Sequence, residues 1–269
     1  MKILITGANG FVGKNLSAAL KNIRDGKDRT HPELNIDEIF LYDIDSTPDE
    51  LDKYCKEADF VFNLAGVNRP QNTEEFMQGN CDFASTLLGT LKKHNNTCPV
   101  MLSSSIQATL EGRYNNDYGR SKKAGEDLFF DYAKISGAEA YIYRFPNLFG
   151  KWCRPNYNSV IATWCHNIAN DLEITINDRN AKLELLYIDD LVDEMLLCLN
   201  GTPHKNDDFC VCPTTHKVTL GEIADLLYSF KAQPQTLVMP EIPFGSFAKK
   251  LYSTYLSSIS ILKVFNQSQ

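Results

Sequence analysis

The 269-residue sequence contains no uninterrupted apolar run approaching the roughly 18 residues of a membrane-spanning helix. Its N-terminus, MKILITGANG, has none of the basic, apolar and small-residue succession of a signal peptide. These absences point away from a membrane and towards the cytoplasm. Cationic charge is in deficit, with 27 Lys and Arg against 34 Asp and Glu. A formal net charge of −7 repels duplex nucleic acid and anionic surfaces on average, so no nucleic-acid partner is expected. The eight cysteines include no CxxC and the five histidines no HxxxH, with only Cys210 and Cys212 close together. Neither a disulfide framework nor a metal site is expected, and the thiols read as reduced core residues. The 15 glycines and 11 prolines follow no period, and no internal repeat is present, which excludes collagen-like and low-complexity chains. At 43% hydrophobic content, disorder is excluded as the dominant state.

What is there alternates. Lys2–Thr6 is a short apolar run with β-branched residues, read as a buried strand, and Phe11 to about Ile23 has helical apolar spacing. A polar loop over 25–35 leads to a second strand at Glu38–Asp43, a helix at Pro48–Glu57 and a third strand at Asp59–Leu64. A helix over Glu74–His94, a strand at Pro99–Leu102, a helix from Tyr118 to about Ile135 and a strand at Ala140–Arg144 continue the pattern. Strands alternating with helices predict an α/β fold with a doubly wound parallel sheet. Beyond about residue 145 the pattern loosens. Helices are expected at Asn158–Ala169, at Asp189–Leu199 and at Thr219–Phe230, with two short strands near Ile174 and Leu183. Asp189 and Asp190 read as helix caps, and Thr219 with Glu222 as a capping box. Trp152 and Trp164 read as packing residues, His166 as a partly exposed inert side chain, and Tyr252 and Tyr255 as anchors of the tail.

Two constellations carry chemistry. Gly7, Asn9, Gly10, Phe11, Val12 and Gly13 form a GxxGxxG loop between the first strand and the first helix. Glycines there let the backbone approach a pyrophosphate, which the helix N-terminus favours electrostatically. Asp43, at the end of the second strand, can accept hydrogen bonds from ribose hydroxyls and repel a 2′-phosphate, which argues for NAD(H) over NADP(H). It comes later in the chain than the spacing of roughly 20 residues usual for this acid. The second constellation is Tyr118 and Lys122, four residues apart on one helix face, with Ser105 at the end of the preceding strand. An ammonium beside a phenol is expected to lower the phenol's pKa, so that Tyr118 exchanges a proton with a substrate oxygen that Ser105 orients.

Together these residues resemble the extended short-chain dehydrogenase/reductase superfamily, the NAD-dependent epimerase/dehydratase family, over nearly the whole chain. The resemblance implies a Rossmann-type domain over 1–150 and a smaller substrate lobe over 151–269, partly interleaved with it. It implies Ser105, Tyr118 and Lys122 as catalytic. It places Leu64, Ala65, Gly66 and Ser103, with Tyr118 and Lys122, beside the nicotinamide ribose, and gives Asn80 a structural or relay role. Arg144-Phe-Pro-Asn147-Leu-Phe-Gly150 is similar to the RxxNxxG segment whose Asn reaches a nucleotide-sugar diphosphate, and Tyr187-Ile-Asp189-Asp190 to a YVDD helix start. Asn68, Arg69, Ser105, Gln107, Asn147 and Arg179 are the candidate substrate contacts, Arg179 or Arg154 replacing an Arg that the family carries just before YVDD. Ser105 is followed by Ile106-Gln107 and not by the Asp-Glu pair of dehydratases, which argues against dehydration.

Longer runs, including Leu64–Pro70, Leu102–Thr109, Asn147–Cys153 and Pro155–Thr163, are similar to the reductase part of bifunctional capsular-polysaccharide enzymes. That resemblance implies reduction of the C4 ketone of a UDP-2-acetamido-2,6-dideoxy-hexos-4-ulose to UDP-2-acetamido-2,6-dideoxy-L-talose, on the route to UDP-N-acetyl-L-fucosamine. It implies NADPH, whereas Asp43 argues for NADH. No His-rich motif of a metal-binding cupin domain is present, so C3 epimerisation is not expected. A nucleotide-sugar 4-epimerase holding NAD tightly is the alternative. A homodimer through the helices at Glu74–His94 and Tyr118–Ile135 is expected from the superfamily.

Overall fold

Apolar runs of four to six residues, each followed by a helix, build the first part of the molecule. In chain order these are β1 (Lys2–Thr6), α1 (Phe11–Arg24), β2 (Glu38–Tyr42), α2 (Pro48–Glu57), β3 (Phe60–Asn63), α3 (Glu74–Met77) and α4 (Phe83–Lys93). Then come β4 (Val100–Ser105), α5 (Asp117–Ser136) and β5 (Ala140–Phe145). The remaining elements are β6 (Asn147–Phe149), α6 (Val160–Ala169), β7 (Lys182–Tyr187), α7 (Ile188–Leu199), β8 (Lys205–Asn206), β9 (Phe209–Cys210), β10 (His216–Thr219), α8 (Leu220–Thr236) and α9 (Phe247–Ser257). The computed structural model describes residues 1–259. They divide into two units, one of Met1–Phe145 with Val192–Pro213, the other of Pro146–Leu191 with the described residues from Thr214 on.

The first unit is a seven-stranded sheet in the order β2-β1-β3-β4-β5-β9-β8. Neighbours are parallel from β2 through β9, with Ile3 opposite Ile39 on one side and Phe60 on the other. Only the short β8–β9 hairpin is antiparallel. The central strands β1 and β3 are buried almost throughout, as strands covered on both faces must be. Leu4, Val61, Leu87, Leu91, Val100, Phe129 and Ile142 belong to one core cluster beneath the helices. Such a sheet presents the carboxyl ends of β1, β3 and β4 along one edge, where α/β folds bind ligands.

The second unit is a three-stranded sheet in the order β10-β7-β6, with α6, α8 and α9 packed among themselves. Thr219 caps α8 with Glu222 in a reciprocal capping box, as its sequence reads. Tyr252 donates to Gln233 Oε1 at 2.6 Å and Tyr255 is buried, tying α9 to α8.

Several expectations are corrected. Glu74–His94 is not one helix: a π-helical turn at Gln78–Asp82 separates α3 from α4. No strand forms at Ile174. Leu172 N–H and the Glu173 carbonyl are taken by Asn167, and β7 already has partners on both sides. Asp189 and Asp190 lie within the first turn of α7 and do not precede it as caps; they pair with Lys151 at 2.8 Å and Lys250 at 2.6 Å. Trp164 is a core residue, but Trp152 is 55% exposed on a backbone with φ 67° and is not packing.

No described helix is long and apolar enough to cross a membrane. All eight cysteines are free thiols. Burial pushes Cys55, Cys98 and Cys198 up to about 12, the state of inert core thiols.

Candidate active site and cofactor loop

The turn after β1 requires glycine for two separate reasons. Gly7 has φ 68°, and a Cβ on it would lie 2.7 Å from the backbone nitrogen of Ala65. A Cβ on Gly13 would meet the carbonyl of Gly7 and lie 2.8 Å from Ala8 Cα. Gly10 opens α1 in an extended conformation with no side-chain cap, and no acidic residue occupies the first turn. The first-turn N–H groups of Phe11, Val12 and Gly13 have no helical acceptor and are flanked by no anion of the helix's own. This is a cradle that fits a pyrophosphate. Asp43 braces it: its Oδ2 accepts from Asn9 N–H at 2.7 Å and its Oδ1 from Ile44 N–H at 2.8 Å. At the neighbouring strand end, Thr6 donates to Asn63 Oδ1 at 2.6 Å and accepts from Ala65 N–H at 3.4 Å. That pair fixes where Leu64, Ala65 and Gly66 leave the sheet.

Ser105 ends β4, and its hydroxyl accepts from Gln107 N–H at 3.2 Å, starting a 3-10 turn over Ile106–Thr109. Asn116 caps α5 on Gly119 N–H at 2.8 Å and donates to Gln107 Oε1 at 3.0 Å. The turn and the helix start lie so close that a Cβ on Gly119 would be 2.5 Å from the Gln107 carbonyl. Tyr118 is therefore brought beside Ser105, whose hydroxyl acts to lower the pKa of the phenol. Burial acts more strongly in the other direction, and the net shift is upward. This corrects the expectation that Lys122 lowers it: Lys122 Nζ lies 5.9 Å from the centre of the Tyr118 ring, and Ser105 is the group that favours the phenolate. Phe76 packs against the phenol ring, ring centres 5.6 Å apart.

Lys122 is buried, and its ammonium donates to the Ser103 carbonyl at 3.1 Å. Burial lowers its pKa to about 8, while Glu126, one turn further along α5, acts to raise it. A Cβ on Gly66 would lie 3.0 Å from Lys122 Nζ and 2.6 Å from Asn80 Oδ1, so only glycine admits both side chains at that strand end. Asn80 sits in the π-helical turn, a feature that often marks functional sites. It donates to Ser121 Oγ at 3.0 Å, and Ser121 donates to the Tyr118 carbonyl at 2.8 Å. Asn68 and Arg69 are exposed on the segment that follows Val67.

Two candidate contacts belong to the second unit. Asn147 is exposed at the start of β6. Arg179 has its guanidinium on the Asp225 carboxylate at 2.7 and 2.8 Å. The segment Gly150–Cys153 is held by glycine at φ 147°, where a Cβ would collide with Ile188. Sequence reasoning passed over Ser104, Glu126 and Arg144 as site residues, although Lys122 and Glu126 share a helix face at i and i+4. It also passed over Lys250 and His216, which meet at 3.1 Å beside Asp190 in the second unit.

Comparison with known proteins accords with this geometry. The family described as NAD dependent epimerase/dehydratase matches residues 3–212. The chain is 39% identical over 257 residues to the UDP-2-acetamido-2,6-beta-L-arabino-hexul-4-ose reductase of Pseudomonas aeruginosa, covering 96% of this chain and 64% of that protein. It superposes on the capsular polysaccharide assembling protein CapF from Staphylococcus aureus with a TM-score of 0.83 and 45% identity, covering 97% of this chain and 66% of CapF. The chain thus spans just under two thirds of the length of both. A UDP-glucuronic acid 4-epimerase from Bacillus cereus, solved with NAD, shares the fold at a TM-score of 0.73 and 18% identity. With the glycine loop, the Ser105–Tyr118 contact and Lys122 on one sheet edge, and the family match over most of its length, the chain belongs to the NAD dependent epimerase/dehydratase family.

Proposed function

We propose that this chain reduces the C4 ketone of a UDP-2-acetamido-2,6-dideoxy-hexos-4-ulose to UDP-2-acetamido-2,6-dideoxy-L-talose, with NAD(P)H as reductant, in the synthesis of a capsule or surface-polysaccharide precursor. The observation that carries the reading is Ser105 beside Tyr118, with Lys122 buried on the same helix, in a chain 39% identical to a 4-ketoreductase. The loop from Gly7 to Gly13 would hold the pyrophosphate and Asp43 the adenosine ribose. Ala65, Gly66, Ser103 and Lys122 would hold the nicotinamide ribose. A reduced nicotinamide, when bound, supplies the hydride that the ketone carbon accepts. Tyr118 donates its phenolic proton to the ketone oxygen, completing the alcohol, and Ser105 hydrogen-bonds the same oxygen as negative charge develops there. The upward shift of Tyr118 keeps it protonated at neutral pH, the state an acid needs. The charge on Lys122 acts on the nicotinamide ribose, and Ser105 favours the phenolate left behind.

Asn68, Arg69, Gln107, Asn147 and Arg179 are proposed as substrate contacts. Asp43 supports NADH over NADPH, since a 2′-phosphate would meet its carboxylate. A homodimer formed through α4 and α5, in the cytoplasm, completes the reading. A nucleotide-sugar 4-epimerase is the weaker reading: an Arabidopsis thaliana UDP-glucuronate 4-epimerase is only 28% identical over 74% of the chain.

The test is nicotinamide absorbance against time with the UDP-4-ketosugar and either cofactor, for the native chain and Tyr118→Phe. Oxidation by the native chain that falls at least about 100-fold in Tyr118→Phe supports the reductase. Cofactor binding without oxidation of either nicotinamide sinks it.

A further inference from the structure

Glu126 has the environment of a residue with a task. It is 0% exposed, and an isolated carboxylate so buried is costly unless it is paired and hydrogen-bonded. Three bonds hold it. Arg144, from β5, donates from Nε to Oε1 at 2.9 Å and from Nη2 to Oε2 at 2.6 Å. Ser104, from β4, donates to Oε1 at 2.7 Å. The Arg144 guanidinium is itself clamped, 3.9 Å from the centre of the Phe209 ring. The carboxylate therefore has one position.

That position is tied to Lys122. The two side chains lie one turn apart on α5, and each is fixed by one of two consecutive residues of β4: Lys122 by the Ser103 carbonyl, Glu126 by the Ser104 hydroxyl. Around the ammonium, α5 contributes Tyr118 and Glu126 and β5 contributes Arg144 through Glu126. Ser103, Gly66 and Asn80 bring polarity without charge. Arg144 cannot lose its proton, whereas a buried lysine can. One carboxylate is thus bonded to a fixed cation and lies one helical turn from a titratable one, and only the titratable one responds to changes in the balance.

We infer that Glu126 is a positioning residue whose carboxylate, held by Ser104 and shared with Arg144, sets the charge that Lys122 carries beside Tyr118. The role rests on the reading of Tyr118 and Lys122 given above. It makes two substitutions act with opposite signs. Glu126→Gln removes the anion that favours the charge on Lys122, and Lys122 gives up its proton more easily. Arg144→Met leaves the carboxylate wholly to Lys122, which holds its proton more tightly.

The experiment is an NMR pH titration of ε-13C-lysine-labelled chain without cofactor, the Lys122 resonance being identified by its loss in Lys122→Met. The native midpoint is expected at about 8. Glu126→Gln should move it down by about one unit or more, and Arg144→Met should move it up. In turnover assays, the alkaline limb of kcat should move the same way in each variant. Midpoints that stay put, or that move together in both folded variants, overturn the inference and leave the pair purely structural. Where Glu126→Gln does not fold, the upward shift in Arg144→Met decides the matter, and an unchanged midpoint there sinks the idea. Opposite shifts in a chain that turns over no ketosugar would uphold the link between Glu126 and Lys122 and refute the proposed reaction instead.

Discussion

The side-chain amide of Asn80 hydrogen-bonds both main-chain polar groups of Val67, Oδ1 accepting its N–H at 3.0 Å and Nδ2 donating to its carbonyl at 2.8 Å. In this way a side chain does what a neighbouring strand would do for β3's continuation. Asn80→Ala removes these bonds and the one to Ser121 from a buried site. A loss of about 1–3 kcal/mol in denaturant-measured stability is expected, with a further fall in kcat because residues 65–67 lose their anchor. Unchanged turnover in a destabilised variant would confine Asn80 to folding.

Gly13 tests the cofactor loop. Alanine there places a methyl group against the Gly7 carbonyl and 2.8 Å from Ala8 Cα, both backbone atoms that cannot step aside. Gly13→Ala should lower nicotinamide-cofactor affinity at least about tenfold, which is ~1.4 kcal/mol of binding free energy. Fluorescence titration of NADH onto the variant measures it, and native affinity would mean that the loop does not bind the pyrophosphate.

Asp43 should set cofactor preference. Asp43→Asn removes the negative charge that a 2′-phosphate would meet. The ratio of kcat/KM for NADH to that for NADPH should fall about tenfold or more. Because the carboxylate also holds Asn9 N–H, some affinity for both cofactors should be lost as well. A ratio that does not change would remove Asp43 from selection and leave it as a brace of the loop.

Lys122 carries a stability signature with a definite sign. Its folded pKa, about 8, lies below the ordinary 10.5, so the unfolded chain binds the extra proton between those two values. Folding stability from this group therefore rises with pH across that window. Lys122→Met should be more stable than the native chain near neutral pH, by about 1–3 kcal/mol, and the difference should shrink as the pH rises from 8 to 10.5. Paired denaturation curves check it; a variant less stable at pH 7 would show that the ammonium's bond to Ser103 outweighs the cost of burying it. Turnover should fall above about pH 8 as Lys122 loses its charge.

Legibility followed sequence range. The strands at Lys2–Thr6 and Phe60–Asn63 announce themselves because strands covered on both faces are continuous apolar runs. Tyr118 and Lys122 announce themselves because one helix fixes their spacing. The π-helical turn at Gln78–Asp82 adds a residue to the helical period without changing composition, so the run from Glu74 to His94 reads as unbroken. The alternating residues around Ile174 have the local look of a strand, but strands form only where an edge is open, and β7 has none. Arg144 and Glu126 come from a strand and a helix, and Lys250 and Asp190 from helices far apart in sequence, so nothing local marks either pair. The direction of the Tyr118 shift is not legible locally for a related reason: desolvation depends on everything packed around the phenol, and spacing records only Lys122.

The pairing of Tyr143 with Cys210 has a consequence for synthesis of the chain. β5 is complete at Phe145, but its outer neighbour, β9, lies at Phe209–Cys210. A ribosome making this protein therefore displays β5 as a raw sheet edge while the whole of 146–208 is translated. An unpaired parallel edge is where a nascent chain recruits the wrong strand. Efficient production should depend on a chaperone or on uninterrupted elongation through that interval, and a ribosome stalled within it should release a chain prone to aggregate.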